Sequence, residues 1–123
     1  PYIATVSPSH LNDLAAKVEK AKSIRGTKVI IVLVPCLPGW GLPDNAAVRT
    51  ARKAVESGVL PLFEVFDGVD YRLSVGTRSQ SVETYLKEQK RYRHLSADQI
   101  AGLQAETDAE WDRLQARAVG GQV

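Results

Sequence analysis

The spacing of apolar residues predicts that strands and helices alternate in the first part of the chain. Residues 2–7 have the composition of a short strand, which Pro8 ends because proline cannot donate a ladder hydrogen bond. Ser9 is a good helix N-cap, and apolar residues then recur every three or four positions, which predicts an amphipathic helix stopped by Gly26. After Lys28, residues 29–34 are apolar without alternation, so we expect a strand buried on both faces, as interior parallel strands are.

The second part of the chain is predicted as a helix, a hairpin and two further helices. The predicted elements are a helix capped by Asp44 or Asn45 and closed by Gly58, strands over 60–66 and 71–75 joined by Asp67-Gly68, a helix over 79–93, and a helix that starts at the Ser96–Gln99 capping box and ends at Gly120-Gly121. We expect the hairpin at a sheet edge. The alternation of strands and helices predicts an α/β fold with a parallel sheet.

Composition and charge are typical of one soluble globular domain or of part of a larger one. The 123 residues are 44% apolar and 24% charged. Sixteen basic and fourteen acidic residues give a net charge of +2, which is too weak and too evenly mixed to indicate a nucleic-acid partner. The longest strongly apolar run, 29–34, is far too short to span a membrane. A single cysteine excludes an internal disulfide.

The beginning of the chain suggests that it is part of a larger protein. It contains no methionine, it opens at Pro1 directly on a strand, and it shows no secretory signal. A strand as apolar as 29–34 also needs neighbours on both sides. We therefore expect a fragment, a processed product or a split subunit, located in the cytoplasm.

Residues 35–43 are the first candidate for a functional site. Three prolines and two glycines in nine residues predict a loop without regular structure. The loop directly follows the strand over 29–34, and sites in open α/β sheets gather beyond the carboxyl ends of strands. It carries Cys36 and Trp40.

The residues alone leave the roles of Cys36 and Trp40 open. A lone cysteine is usually a small buried apolar residue. A catalytic thiolate needs a basic partner, and the sequence does not place His10 or His94 beside Cys36. An iron–sulfur cluster usually takes four thiolates, so three would have to come from outside this chain. Trp40 would either shield a cofactor from water or simply plug the end of the sheet.

Four segments in the same order carry a resemblance to a known family. Residues 34–40, Val-Pro-Cys-Leu-Pro-Gly-Trp, resemble a loop near the end of the thiamine-diphosphate-binding beta subunit of pyruvate:ferredoxin oxidoreductases and related 2-oxoacid:acceptor oxidoreductases. Residues 2–14 resemble the stretch before this loop, and residues 54–64 and 82–95 resemble two stretches after it. The resemblance covers nearly the whole chain.

The resemblance implies an enzyme that oxidatively decarboxylates a 2-oxoacid, most simply pyruvate, with coenzyme A usually taking the acyl group. Thiamine diphosphate and Mg²⁺ would do the carbon chemistry, and electrons would leave through a [4Fe–4S] cluster to ferredoxin. By position, Cys36 would be the fourth thiolate of the cluster nearest the thiamine. Pro35, Gly39 and Trp40 would shape the pocket of that cluster.

The same resemblance implies a division of the chain. Residues 1–78 would be the C-terminal part of the thiamine-diphosphate-binding α/β domain, a parallel-sheet fold with an edge hairpin and two terminal helices. Residues 79–123 would be a helical arm that packs on partner subunits. The family's Gly-Asp-Gly stretch, its Mg²⁺ ligands and three further cysteines are absent, so they would come from the N-terminal half or from other subunits. Pro38 stands where a Thr or another small residue is expected, which leaves the branch of the family open.

Other features have two interpretations each. A basic group in the predicted helix 79–93 is either a solvated face or a site for acidic ferredoxin or coenzyme A: Lys87, Lys90, Arg91 and Arg93. Trp111 packs in the core or on a partner, and His10 is a surface residue or approaches a cofactor. The rival to the whole interpretation is a non-catalytic interaction module that binds partner subunits. A free-standing domain with a reactive thiol is a third possibility.

Overall fold

A four-stranded mixed sheet organises the chain, of which the computed structural model describes residues 1–120. The strands are β1 (Tyr2–Val6), β2 (Lys28–Val32), β3 (Phe63–Phe66) and β4 (Asp70–Leu73). Their order across the sheet is β2-β1-β3-β4. β1 and β2 are parallel, whereas β3 pairs antiparallel with both β1 and β4. The predicted α/β class and the edge hairpin are confirmed.

Helices cover both faces of the sheet. They are α1 (Leu11–Ser23), α2 (Leu37–Trp40), α3 (Ala47–Ser57), α4 (Val82–Leu86) and α5 (Ala97–Gly120), with a 3-10 turn over Lys90–Tyr92. The side chains of Tyr2 and Ala4 pack against Ala21 of α1 on one face. α5 contacts β4, and its Leu114 and Ile3 of β1 line a groove of about 670 Å³ on the other face. No helix within residues 1–120 is both long and apolar enough to cross a membrane.

The predicted cap of α1 is wrong. His10, not Ser9, occupies the N-cap position, and it makes no side-chain cap bond. The hydroxyl of Ser9 lies 2.8 Å from that of Ser7 and 2.8 Å from Nδ1 of His10, so it is engaged upstream of the helix. The helix ends at Ser23, before the predicted stop at Gly26.

Of the two other predicted helix N-caps, one is wrong and one is confirmed. α3 begins after Ala46 without a side-chain cap bond, so neither Asp44 nor Asn45 serves as predicted. The predicted capping box before α5 is confirmed, because Ser96 N–H donates to Oε1 of Gln99 at 2.8 Å and Gln99 N–H donates to the Ser96 hydroxyl at 3.1 Å. α5 is helical as far as Gly120, and the predicted terminal Gly121 lies outside the described residues.

The helix predicted over 79–93 is interrupted. α4 spans only Val82–Leu86, and Gln89 has an extended backbone before the 3-10 turn. The side-chain amide of Gln89 donates at 2.7 Å to the carbonyl of Tyr85, which the Gln89 backbone N–H would bond in a continuous helix. Val82, Tyr85, Leu86 and Gln89 of this segment are nevertheless all buried.

The expectation that the apolar second strand is buried on both faces is wrong for the described chain. β2 lies at one edge of the sheet, and Val29, Ile31 and Val32 are 44%, 50% and 47% exposed. The strand also ends at Val32, two residues earlier than predicted. The composition of β2 is typical of an interior strand, but in the described chain β2 has a neighbour, β1, on one side only.

Candidate functional site

The Cys36 loop, residues 33–43, leaves β2 at the carboxyl end of the strand. Pro35 is buried, and the next residue, Cys36, is exposed. The sequence predicted a loop without regular structure, but α2 makes one helical turn within it. In this turn Trp40 N–H donates to the Cys36 carbonyl at 2.9 Å. Pro38 fits this turn because a proline in the first turn gives up no helical hydrogen bond. The turn holds Cys36 and Trp40 in a fixed relation.

Gly39 gives the Cys36 thiol its space. A methyl group at position 39 would lie 3.1 Å from Sγ of Cys36, which is tighter than ordinary van der Waals contact. Only hydrogen at this position therefore leaves the sulfur room on that side. The exposed position of Cys36 contradicts the interpretation of this residue as a buried apolar side chain.

The described residues could supply one ligand, Cys36, to an iron–sulfur cluster. Residues 1–120 contain no group of three or more His, Cys, Asp or Glu side chains that could hold a metal ion. Cys36 has the softness and exposure that iron–sulfur ligation requires. The other three ligands would have to be supplied by polypeptide outside these residues.

Trp40 is fixed by residues from a distant part of the chain. The guanidinium carbon of Arg91 lies 3.9 Å from the centroid of the Trp40 ring and 4.4 Å from that of Tyr92. Arg91 Nε donates at 2.9 Å to Oε1 of Gln89, whose side chain is 1% exposed. The Cys36 loop is therefore packed against the 3-10 turn.

Gly41 lets the two backbones approach. Its φ of +67° closes α2, and an added Cβ would lie 2.5 Å from Cβ of Lys90. Lys90 N–H also donates to the Gly41 carbonyl at 3.4 Å. A side chain at position 41 would thus strain the turn and push the 3-10 turn away.

The predicted basic group does not form one helix face. Lys87, Lys90 and Arg93 are exposed, whereas Arg91 turns inward onto Trp40. The sequence missed this contact because the interrupted helix changes the direction of Arg91. The available signal was Gln89, a polar residue on the apolar side of the predicted helix.

The remaining candidates lie away from the Cys36 loop. Trp111 is 4% exposed and stands 5.4 Å from the guanidinium of Arg78, which confirms core packing within the described chain. His10 lies after β1, with its Nδ1 bonded to the Ser9 hydroxyl. Neither residue contributes a group to the surroundings of Cys36.

A buried polar network also lies under the centre of the sheet. Glu64 accepts hydrogen bonds from the Tyr2 hydroxyl at 2.6 Å and from Lys20 Nζ at 2.8 Å. Burial raises the pKa of Glu64, but the hydrogen bonds from Lys20 and Tyr2 outweigh it and leave that pKa below its ordinary value. Burial, followed by the hydrogen bond to Glu64, raises the pKa of the Tyr2 hydroxyl. These groups join β1, β3 and α1.

No protein-family model matches the chain, but comparison with curated proteins finds relatives that are similar along nearly all of it. Pyruvate synthase subunit PorB of Methanocaldococcus jannaschii is 43% identical over 109 residues, which are 88% of this chain and 36% of the relative. PorB of Methanothermobacter marburgensis is 40% identical over 94% of this chain and 40% of its own length. Ketoisovalerate oxidoreductase subunit VorB of Pyrococcus horikoshii is 32% identical over 94% of this chain and 38% of its own length.

The chain therefore spans about two fifths of the length of these curated relatives. The similarity extends along nearly all of the chain, and it agrees with the resemblance carried by the four segments. The chain is therefore similar to one part of the PorB and VorB subunits, as the resemblance to 2-oxoacid:acceptor oxidoreductase beta subunits implies.

Proposed function

We propose that the chain is part of the beta subunit of a cytoplasmic 2-oxoacid:ferredoxin oxidoreductase. The relatives named pyruvate synthase reach 43% identity and a ketoisovalerate relative 32%, which makes pyruvate the first candidate substrate. The reaction would be oxidative decarboxylation, with the acyl group passing to coenzyme A and two electrons to ferredoxin. The complete enzyme would include the rest of this subunit and other subunits.

The observation that carries the proposal is the exposed thiol of Cys36 beside the space left by Gly39. Cys36 would supply one thiolate to a [4Fe–4S] cluster, which when bound provides one-electron relay. Pro35, which is buried, would fix the start of the loop, and Trp40, which is half-buried, would reduce access of water to the cluster. Thiamine diphosphate and Mg²⁺ would be held mainly by the remainder of the subunit.

The edge of β2 supports a larger assembly. The exposed apolar side chains of this parallel strand require a neighbouring strand, and the relatives carry more than half of their length outside the matched region. We propose that this remaining polypeptide covers β2. Residues 1–78 would then complete the thiamine-diphosphate-binding domain, and residues 79–123 would form an arm against partner subunits.

The test of the site is to replace Cys36 in the complete, reconstituted subunit. Cys36→Ser and Cys36→Ala are each expected to abolish or convert the [4Fe–4S] cluster, measured by iron content, visible absorption and the EPR spectrum of the reduced protein. Val34→Ala is a matched control, because Val34 is exposed and lies two residues before Cys36 in the same loop. It should leave iron content unchanged.

The result also separates the rival functions. A cluster unchanged in both Cys36 variants would overturn the ligand assignment. Absence of any cluster from the complete wild-type subunit, with partner binding intact, would favour the non-catalytic interaction module. Rapid alkylation of Cys36 in the complete cluster-free subunit at neutral pH, without iron uptake, would favour a reactive thiol.

A further inference from the structure

One short segment that is distant in sequence, residues 89–92, packs against the Cys36 loop. Two direct contacts join them, the guanidinium of Arg91 over the Trp40 ring and the Lys90 N–H on the Gly41 carbonyl. The approach of Gly41 to Lys90 brings the backbones too close to accommodate a Cβ at position 41. Arg91 is the only charged member of segment 89–92 that packs on the Trp40 ring among the described residues.

We propose that Arg91 is a positioning residue for the Cys36 thiolate, and that Gln89 holds Arg91 in place. This inference rests on the proposed function, because it concerns the same cluster ligand. Trp40 is the link, since its ring lies under the Arg91 guanidinium and its backbone N–H donates to the Cys36 carbonyl. Fixing the indole therefore fixes the turn that carries the sulfur.

The geometry of Arg91 suits this role better than a surface role. Its Cζ lies over two aromatic rings, 3.9 Å from the centroid of Trp40 and 4.4 Å from that of Tyr92. Planar guanidinium groups stack on aromatic faces, and the contact strengthens as water is excluded. Nε also donates a hydrogen bond to Oε1 of Gln89. The aromatic contacts and this hydrogen bond together fix the orientation of the guanidinium plane.

Gln89 connects this arrangement to the core. The residue is 1% exposed, and its amide nitrogen donates to the Tyr85 carbonyl at 2.7 Å while its oxygen accepts from Arg91 at 2.9 Å. Both ends of the amide are thus used. The hydrogen bond that ends α4 is made by the same side chain that orients Arg91, so the end of α4 determines where the guanidinium lies.

The first experiment uses the complete subunit without its cluster and measures alkylation of Cys36. We expect Arg91→Gln to raise the alkylation rate of the folded protein roughly fivefold, a factor that loss of one cation–π contact can produce. Arg91→Lys keeps the charge over the ring and should recover part of the protection. Arg93→Gln is the matched control, because Arg93 carries the same charge nearby but is exposed.

A double-mutant cycle shows whether Trp40 is the link. In a Trp40→Leu background, Arg91→Gln should have no further effect on Cys36 alkylation, because the ring that the guanidinium contacts is gone. Equal added effects in both backgrounds would contradict the proposal. Arg91→Gln and Arg93→Gln giving the same rate would overturn it.

The second experiment uses the cluster-loaded subunit and separates the two proposals. Arg91→Gln should broaden the EPR spectrum of the reduced cluster and speed iron release to a chelator, whereas Arg93→Gln should change neither. If the wild-type subunit holds no cluster, the proposed function fails, and the alkylation result still decides the role of Arg91. If the cluster is present and unaltered in Arg91→Gln, the positioning role fails and the function stands.

Discussion

The two edges of the sheet are built from opposite kinds of residue. β4 carries Asp70 and Arg72, whose side chains form an exposed ion pair at 2.8 Å. β2, after Lys28, presents only apolar side chains, and Val29, Ile31 and Val32 are all exposed. Charged residues on an edge strand discourage pairing with another strand. The contrast agrees with the proposal that further polypeptide covers β2, whereas β4 has the charged residues of an edge strand.

The turns next to the two edge strands differ as well. In the hairpin turn of β3 and β4, a Cβ added at Gly68 would meet nothing within 4 Å. The Cys36 loop after β2 is packed against residues 89–92, and a Cβ at Gly41 would meet Lys90 at 2.5 Å. The side of the sheet that lacks a neighbour is therefore the side on which the loop is fixed most closely.

The largest expected effect comes from placing a charge on the β2 edge of the complete subunit. Ile31→Lys should lower the free energy of unfolding by about 3 kcal/mol or more, because the ammonium would be buried under the neighbouring polypeptide without a partner. Urea unfolding and the yield of assembled oxidoreductase measure the loss.

The control for this experiment lies on the other side of the sheet. Val69, in the hairpin turn, is 75% exposed, and Val69→Lys should change the free energy of unfolding by less than about 0.5 kcal/mol. If Ile31→Lys is equally mild in the complete subunit, β2 is an edge there too, and the contrast between the two sides disappears.

Signals that act over a few residues were sufficient for much of the fold. The Asp67-Gly68 turn has positive φ at both residues, 53° and 75°, and forms the predicted hairpin. The Ser96–Gln99 capping box forms as predicted, because its two hydrogen bonds link residues three apart. The position of Cys36 at the end of a strand followed from the same kind of local pattern.

Contacts between distant segments explain what could not be predicted. Gln89 ends α4 by bonding the Tyr85 carbonyl, and no periodic pattern of apolar residues reports such a competition. The contact between Arg91 and Trp40 depends on that ending, so it was equally hidden. The exposure of β2 was not predicted either, because its apolar sequence is typical of an interior strand.

The second expected effect compares the two turns directly. Gly41→Ala should lower the free energy of unfolding by about 2–3 kcal/mol, because it adds a clash with Lys90 to the strain of a left-handed residue. Gly68→Ala has the same kind of strain without the clash, and about 1 kcal/mol is expected. Urea unfolding of both variants measures the difference, which isolates the packing of the Cys36 loop. Equal losses would show that this packing contributes nothing to stability.

The smallest expected effect lies between the two edges, at Glu64 in the centre of the sheet. The folded state holds the pKa of this carboxyl below its ordinary value of 4.5, because the hydrogen bonds from Lys20 and Tyr2 outweigh the opposing effect of burial. A lowered pKa means that the ionised form stabilises the fold. That contribution is complete above the ordinary pKa and is lost as the pH falls through the lowered value.

Glu64→Gln should therefore cost about 1 kcal/mol near neutral pH, a small value because Lys20 is partly exposed. The difference between variant and wild type should shrink as the pH is lowered from the ordinary pKa through the lowered pKa of Glu64. Glu19→Gln is the matched control, since Glu19 also pairs with a lysine but is 72% exposed. Urea unfolding of the cluster-free complete subunit across this pH range measures both. A Glu64→Gln deficit that is independent of pH would show that the hydrogen-bonded network, and not the charge of Glu64, joins the two sides of the sheet.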